Sequence, residues 1–260
     1  MNSPDRFESV AMEMLRAARA LALKHFRTRL EVERKADHSP VTLADRAVER
    51  AMKEVLAQHL PDHGVFGEEH GAAGLDARYV WVIDPIDGTK SFISGVPLFG
   101  TLIALLDGGK PVLGVIDMPA LKETWVGHVG GDTSHNGHRC RTSGQQRLEN
   151  TILFATSPDQ FSQEETRTFE ALSKACMARR FGGDCYSYGL LASGHVDLII
   201  EAELQPYDYL PVVPVVKAAG GVITDWEGRE LTLHSSGQVL AAATPELHRA
   251  ALDRIAMAVA

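Results

Sequence analysis

Apolar side chains recur every three or four residues near the start of the chain. This spacing predicts an amphipathic helix over residues 4–27, with apolar positions at Phe7, Val10, Ala11, Met14, Leu15, Ala18 and Leu21. The same spacing predicts a second helix that begins near Thr42 and stops before Pro61. The polar segment between the two helices, residues 33–42, is interpreted as a loop or an exposed hairpin.

The pattern changes to short apolar runs from residue 79 onwards. Such runs, bounded by glycine and polar residues, predict buried strands at residues 79–84, 99–107, 110–118, 123–131, 150–156, 195–202, 220–226 and 238–243. Helical spacing returns at residues 163–177 and 186–193, after Asp208, and from Pro245 to the end. The chain thus has helices first, then a run of strands, and then strands and helices in alternation. This order predicts an α+β fold in which sheets are layered with helices.

Composition narrows the class of protein. The chain has 260 residues, 45% of them hydrophobic and 23% charged, which is ordinary for a soluble globular protein. A formal net charge of −8 argues against nucleic acid or an anionic membrane as the main partner. Three cysteines without metal-site spacing, no signal-peptide core and no apolar run of membrane-spanning length predict a cytoplasmic protein.

The segment WVIDPIDGT, residues 81–89, ends an apolar run with two carboxylates. Turn chemistry explains Gly88 and one of the aspartates, but it does not explain both Asp84 and Asp87 beside the rigid Pro85. Clustered carboxylates repel one another, and oxygen ligands without nearby histidine or cysteine suit a hard cation such as Mg²⁺. Two such ions about 3.5–4 Å apart would suit phosphoryl transfer.

Three further acidic positions each have a purely structural alternative. Asp45 could favour the N-terminus of the second helix through the helix dipole. Glu68 and Glu69 could be solvated loop charges, and Asp208 could cap a helix that begins after it. The residues alone leave these alternatives open.

Other hydrolase motifs do not match. A haloacid-dehalogenase nucleophile needs one residue between its two aspartates, whereas two residues separate Asp84 from Asp87. The chain has no GxSxG serine elbow, and its eleven histidines form no HExxH metal motif.

The motifs GEE, WVIDPIDGT and YDYL before AAGGV, in this order, resemble the inositol-monophosphatase superfamily of Mg²⁺-dependent, lithium-sensitive phosphatases. The resemblance runs from residues 36–49 to residues 220–228. Within the superfamily, FISGVPLFGTLIALL, GGDCYSYGLLASGHVDLIIEA and PYDYL are most similar to the histidinol-phosphate phosphatases.

The resemblance implies a layered αβαβα sugar-phosphatase fold. It implies a single domain over residues 1–260, with the metal site between an N-terminal half, about 1–140, and a C-terminal half, about 141–260. It also implies a homodimer that acts on a small phosphorylated substrate.

The resemblance further implies a set of site residues. The first metal would be held by Glu68, Asp84 and the carbonyl of Ile86. The second would be held by Asp84, Asp87 and Asp208, and Glu68 would assist a third Mg²⁺ through water. Asp45 and Thr89 would orient and deprotonate the attacking water, while Gly88 and Thr89 would offer backbone amides to the phosphate.

Two positions are implied to contact the part of the substrate that does not carry phosphate. They are Asp184 and Glu201, and a carboxylate at Asp184 would favour an ammonium or imidazolium group. The structural alternative for Asp184 is a cap on the helix that begins at Cys185.

There are two departures from the family pattern, and both are expected to shape the substrate side. Tyr207 stands in place of tryptophan, and Pro211 and Pro214 lie in the following helix, which the second proline should distort or restart.

The expected reaction is hydrolysis of L-histidinol phosphate to L-histidinol and phosphate. The alternatives are an inositol monophosphatase or broad sugar-phosphate phosphatase, a 3′-phosphonucleotide phosphatase, and a metal-binding regulator without turnover. Asp45 and Thr89 argue against the regulator, because plain metal binding needs neither residue.

Overall fold

A computed structural model describes residues 3–29, 32–34 and 40–259. Its helices are α1 (Pro4–His25), α2 (Leu43–His59), α3 (Thr89–Ile93), α4 (Gln163–Ser173), α5 (Tyr186–Ala192), α6 (Pro206–Tyr209), α7 (Val212–Ala218) and α8 (Pro245–Val259). Its first strands are β1 (Val32–Arg34), β2 (Pro40–Thr42), β3 (Gly64–Gly67), β4 (Gly71–Ala73), β5 (Tyr79–Asp87), β6 (Gly100–Asp107), β7 (Lys110–Met118) and β8 (Glu123–His128). The remaining strands are β9 (Thr133–His135), β10 (His138–Cys140), β11 (Ile152–Ala155), β12 (Ala178–Phe181), β13 (Leu198–Glu201), β14 (Val222–Thr224) and β15 (Val239–Ala242).

Two large sheets form the frame. The first has eight strands in the order β10-β9-β8-β7-β6-β5-β3-β4, and all its pairs are antiparallel except β3 with β5. The second has five strands in the order β12-β11-β13-β15-β14, and β11 runs parallel to both of its neighbours. A small antiparallel hairpin, β1 with β2, precedes α2; residues 35–39 of the predicted loop lie outside the described residues.

The helices and sheets stack in five layers. Strand β5 shows how its sequence builds two of the interfaces, because successive side chains point to opposite faces of a sheet. Trp81 and Ile83 join the apolar cluster formed with α1 and α2. Val80 and Val82 join the cluster that contains the buried residues of α5 and α7 and part of the five-stranded sheet.

The third apolar cluster closes the stack. Leu198 and Ile200 of β13 pack there with Phe169 of α4 and Leu247 of α8. The order is therefore helices, eight-stranded sheet, helices, five-stranded sheet, helices. The layered αβαβα arrangement predicted from the sequence is confirmed.

The strand and helix boundaries differ from the prediction in several places. Strands β3, β4 and β12 and the hairpin β9–β10 were not predicted, because they are short, glycine-rich or polar. The helix predicted after Asp208 is two helices, α6 and α7, and α6 includes Asp208. The helix restarts at Pro211, the N-cap of α7, and not at Pro214 as expected. Pro214 is tolerated in the first turn of α7, because no intrahelical N–H bond is lost there.

Among the described residues, no helix has both the length and the apolar character needed to cross a bilayer.

Candidate active site

Three aspartates from two parts of the chain meet at one point. Asp84 and Asp87 lie at the end of β5, and Asp208 lies in α6. One carboxylate oxygen of each lies within 4.8 Å of the others. Glu68 joins them, since its carboxyl group hydrogen-bonds with that of Asp84. The four carboxylates predicted as metal ligands are therefore brought together, and the reading of Glu68 as a solvated loop charge does not fit.

Backbone amides fix one oxygen of each aspartate. Asp84 Oδ1 accepts the N–H of Ile86 at 2.9 Å, and Asp87 Oδ2 accepts the N–H of Cys185 at 2.7 Å. Asp208 Oδ2 accepts the N–H of Gln205 at 2.7 Å as part of a capping box at the start of α6. The other oxygen of each carboxylate takes no part in these three hydrogen bonds.

The backbone of the DPIDG segment departs from regular pairing. The register between β5 and β6 shifts between Asp84 and Asp87. Thr101 donates its hydroxyl to the carbonyl of Pro85 at 2.9 Å, which holds the irregular segment against β6. Ile86 buries its side chain in the core, so only its carbonyl can act as a ligand, and that carbonyl accepts the Thr89 hydroxyl at 3.1 Å.

The electrostatics of the cluster favour a divalent cation. Burial, followed by the charges of Glu68, Asp87 and Asp208, raises the pKa of Asp84 well above its usual value. Burial and the Asp87 charge raise the pKa of Asp208 well above its usual value. Because each carboxylate opposes ionisation of its neighbours, the cluster would be stabilised by a bound cation. All the ligand atoms are oxygens, which suits a hard ion such as Mg²⁺.

The two oxygens of the Asp45 carboxylate have different neighbours. Oδ2 accepts the N–H of Thr42 at 2.8 Å and the hydroxyl of Thr42 at 2.6 Å, which completes a capping box at the start of α2. Oδ1 lies 3.5 Å from the Thr89 hydroxyl oxygen. The structural and catalytic interpretations of Asp45 are therefore compatible.

Gly88 stands where no other residue would fit. Its φ is +78°, in the left-handed region that favours glycine. A Cβ there would come 2.9 Å from the Leu98 carbonyl oxygen and 3.1 Å from the Asp184 carboxyl carbon. The Gly88 N–H bonds the Asp87 carboxylate in this structure. The predicted role of the Gly88 and Thr89 amides in phosphate binding stays a prediction.

Asp184 does not cap α5. The start of α5 has no side-chain cap, and Asp184 Oδ2 instead accepts the hydroxyl of Ser91 at 3.1 Å. Burial and the nearby charge of Asp87 raise the pKa of Asp184 to about 7. Its φ of +43° is uncommon for a residue with a side chain, and strained backbone of this kind concentrates at functional sites.

Glu201 is buried with one oxygen unused. Its Oε1 accepts the N–H and the hydroxyl of Thr156 at 2.9 and 2.8 Å, whereas its Oε2 has no hydrogen-bond partner. Burial raises the pKa of Glu201 to about 8. The buried hydroxyl of Tyr188 also has no partner. Unsatisfied buried polar atoms are costly, so two of them in one place call for an explanation.

Both unsatisfied atoms belong to residues that line one cavity. The cavity has a volume of about 110 Å³ and its lining includes Asp87, Asp184, Tyr188, Glu201 and Asp208. The parallel strands β11, β12 and β13 are neighbours in the sheet, so their carboxyl ends meet at one edge. Thr156, Asp184 and Glu201 come from this edge, which is where open α/β sheets usually bind ligands.

Sequence reasoning missed Thr156 and Tyr188 as parts of the site. Thr156 ends a predicted strand, and Tyr188 is an apolar position of a predicted helix. Neither carries a local signal, because the contact between Thr156 and Glu201 joins residues 45 positions apart in the chain.

Comparison with known proteins places this site in a family. The family model described as the inositol monophosphatase family matches residues 3–259. A bifunctional phosphatase, IMPL2, chloroplastic, of Arabidopsis thaliana is 45% identical over 96% of this chain and 75% of its own length. A histidinol-phosphatase of Chlorobaculum parvum is 36% identical over 89% of this chain and 90% of its own length.

Solved structures agree with the sequence relatives. An inositol monophosphatase from Zymomonas mobilis superposes with a TM-score of 0.90 at 42% identity, covering 98% of this chain and 100% of that one. The carboxylate cluster, the layered fold and these relatives lead to one conclusion. The chain belongs to the inositol monophosphatase family of metal-dependent phosphatases, which hydrolyse phosphate monoesters.

Proposed function

We propose that this phosphatase hydrolyses L-histidinol phosphate to L-histidinol and phosphate, with Mg²⁺ as its metal. The observation that carries the proposal is the cavity beside the aspartate cluster. Two of its carboxylates, Asp184 and Glu201, are not among the proposed metal ligands, and none of the described residues that line it is a lysine or arginine. Lys90, outside this lining, only opposes the rise in the Asp184 pKa. A leaving group that carries a positive charge would supply what this cavity lacks.

Charge accounting favours a cationic leaving group over a neutral polyol. Metal ions would compensate Asp84, Asp87 and Asp208, whereas burial raises the pKa of Asp184 to about 7 and that of Glu201 to about 8, so a cation beside them would favour their charged forms. Buried charges are stabilised by pairing and hydrogen bonds. An ammonium group donates several hydrogen bonds and would satisfy the free Oε2 of Glu201 and the hydroxyl of Tyr188 together.

The proposed metal ligands are five groups of this chain. Glu68, Asp84 and the Ile86 carbonyl would hold the first ion, and Asp84, Asp87 and Asp208 would hold the second. A third ion, assisted by Glu68 through water, stays a prediction. When bound, Mg²⁺ would neutralise phosphate charge and stabilise the developing charge on the departing oxygen.

The remaining chemistry would fall to two side chains. Asp45 Oδ1 would accept a proton from the attacking water, because its other oxygen is occupied by Thr42. The Thr89 hydroxyl, whose single hydrogen has Asp45 Oδ1 and the Ile86 carbonyl as alternative acceptors, would orient that water for in-line attack on phosphorus. In this scheme water attacks phosphorus directly, so no covalent phosphoenzyme is needed.

The relatives also support this substrate. Several proteins between 36% and 37% identical to this chain carry the name histidinol-phosphatase. The second candidate is an inositol monophosphatase with the same hydrolytic site, favoured by the Zymomonas mobilis structure at 42% identity. A 3′-phosphonucleotide phosphatase and a regulator without turnover remain lesser alternatives. Homodimer formation, a cytoplasmic location, lithium sensitivity and a single domain stay predictions.

The test is phosphate release in Mg²⁺ from histidinol phosphate, inositol 1-phosphate, fructose 1,6-bisphosphate and 3′-phosphoadenosine 5′-phosphate, compared by kcat/KM. We expect histidinol phosphate to lead by about a hundredfold or more, equivalent to about 2.7 kcal/mol. A flat profile, or one led by inositol 1-phosphate, would contradict the proposed substrate. The Asp45→Asn variant, measured in parallel, verifies that the released phosphate comes from this site.

A further inference from the structure

Glu49 is a fully buried carboxylate that the hydrolytic chemistry does not use. It lies in α2 four residues after Asp45, so the two side chains share one face of the helix. A buried carboxylate is unfavourable unless it is extensively hydrogen-bonded. Its partners therefore indicate what the protein gains from it.

Those partners belong mainly to the turn that carries Glu68. Glu49 Oε2 accepts the N–H of Glu69 at 2.6 Å, and Oε1 accepts the N–H of His70 at 3.0 Å. His70 Nδ1 lies 3.1 Å from Oε1, and Lys53 Nζ lies 3.3 Å from it. Two of these contacts are charge-assisted bonds from backbone amides, the kind that fixes a loop most firmly.

The turn is short, so holding two of its amides restricts all of it. Residues 68–70 connect β3 to β4, and Glu68 is the first of the three. On the other side, the Glu68 N–H donates to the carbonyl of Ile83 at 3.3 Å, one residue before Asp84. The backbone amide of Glu68 is therefore bonded to β5, and the amides of Glu69 and His70, the next two residues, are bonded to Glu49 of α2.

Gly67 makes this approach possible. A Cβ at that position would overlap the carboxylate of Glu49. The glycine before GEE and the glutamate in α2 thus form a matched pair, in which the missing side chain of one admits the carboxylate of the other.

Resting on the proposed function, in which Glu68 is a metal ligand, we infer that Glu49 is a positioning residue that sets Glu68 relative to Asp45. Because Asp45 and Glu49 stand one turn apart on the same rigid helix, the base and the anchor of the ligand turn keep a fixed separation. Metal-site function depends on such outer contacts, and their removal commonly costs about 10–100-fold in metal affinity or activity.

The experiment compares Glu49→Gln with a matched control, Asp225→Asn. Asp225 is likewise a buried carboxylate that accepts two backbone amides, those of Glu227 and Arg229, and the Arg229 side chain. The turn it holds carries none of the proposed site residues. Each variant is titrated with Mn²⁺ alone in the absence of substrate, then assayed against Mg²⁺ concentration, and its unfolding temperature is recorded.

We expect Glu49→Gln to weaken Mn²⁺ binding and to raise the half-saturating Mg²⁺ concentration, each by about 10–100-fold. At saturating Mg²⁺ its kcat should stay within about threefold of the unsubstituted enzyme, since Asp45 and Thr89 are untouched. Amide hydrogen exchange at Glu69 and His70 should accelerate in the metal-free variant. Asp225→Asn should lower the unfolding temperature and change neither metal constant.

A second variant tests the same idea without removing an acid. Gly67→Ala should displace the Glu49 carboxylate and weaken Mn²⁺ binding to a similar extent. If Glu49→Gln does not fold, the Mn²⁺ affinity of Gly67→Ala tests the inference in its place. The inference would be overturned if these variants bound Mn²⁺ within about twofold of the unsubstituted enzyme and showed only a lowered unfolding temperature. Glu49 would then be a stabilising residue like Asp225.

Discussion

Asp45 Oδ1 lies 3.5 Å from the Thr89 hydroxyl oxygen, on the side of the carboxylate that the helix cap leaves open. The cap fixes the orientation of the side chain, because Thr42 holds the other oxygen through two hydrogen bonds. The proposed role of Asp45 as a base requires a fixed orientation and an oxygen that faces the attacking water. The capping box supplies the position without using the accepting oxygen.

Asp45→Asn should separate the two roles. The amide oxygen can still accept the Thr42 N–H, which turns the amide nitrogen towards Thr89 and removes the proton acceptor. We expect kcat to fall by about 10²–10⁴-fold, with the Mg²⁺ dependence and the unfolding temperature nearly unchanged. Steady-state kinetics at several Mg²⁺ concentrations measure this, and retained turnover would remove Asp45 from the mechanism.

Asp208→Asn should make the metal-free protein more stable and the metal-loaded protein less so. The substitution removes one of several mutually repelling carboxylates, and its amide oxygen can still accept the Gln205 N–H. In EDTA at pH 8, we expect a gain of about 0.5–2 kcal/mol in the free energy of unfolding.

The same variant should lose stabilisation by Mg²⁺, which would reach about 2.7 kcal/mol at a concentration one hundred times the dissociation constant. Thermal unfolding with and without Mg²⁺ compares the two states. Glu54→Gln, at an exposed position of α2, serves as the control and should leave both values unchanged. Equal Mg²⁺ stabilisation of Asp208→Asn and the unsubstituted protein would argue against Asp208 as a ligand.

Tyr188→Phe should change substrate selection and spare hydrolysis. Loss of a hydrogen bond to a charged group costs about 1.5–3 kcal/mol, so kcat/KM for histidinol phosphate should fall by about 10–100-fold. The matched substrate is 3-(imidazol-4-yl)propyl phosphate, which lacks the ammonium group and should be hydrolysed equally by both proteins. Similar losses of kcat/KM on both substrates would show that the hydroxyl supports the fold of the cavity and does not bind the ammonium group.

His248 should make stability depend on pH. Burial lowers its pKa to about 4 from an unfolded value near 6.5, and its Nε2 lies 2.9 Å from the Thr224 hydroxyl oxygen. Between these values the unfolded chain binds the proton and the folded chain does not. The contribution is therefore fully present above pH 6.5 and is lost as the pH falls towards 4, with a slope approaching about 1.4 kcal/mol per pH unit.

Urea unfolding at pH values from 4.5 to 8, about the range over which this histidine should matter, measures that dependence. His248→Gln, which can still bond Thr224, should flatten the curve. His234→Gln, at an exposed position, should not alter it. An unchanged slope in His248→Gln would assign the pH dependence to other groups.

Local patterns in the sequence predicted much of the fold. The long helices α1 and α2 and strands β5, β6 and β7 were recognisable because each buries a regular apolar face. Strand β12 was not, since its residues ARRF are exposed and pair only along one edge of the sheet. Strands β3 and β4 are short and rich in glycine, so they show neither strand length nor alternation.

The site was predicted in part for the same reason. Asp84 and Asp87 stand three residues apart, so the sequence itself shows that they lie together. At Asp45 the family resemblance favoured a catalytic role over a helix cap, but local spacing could not show that one oxygen completes the cap while the other lies near Thr89. Glu49 and Tyr188 gain their meaning only from residues distant in the chain, which no local spacing reveals.

The placement of the cavity at the edge of the five-stranded sheet has an evolutionary consequence. The proposed water-activating pair, Asp45 and Thr89, belongs to the N-terminal part of the chain, whereas Thr156, Asp184 and Glu201 belong to strand ends of the other sheet. Replacements at those strand ends can exchange one alcohol for another while the hydrolytic apparatus is inherited intact. A single ancestor could in this way give rise to descendants that serve unrelated branches of metabolism.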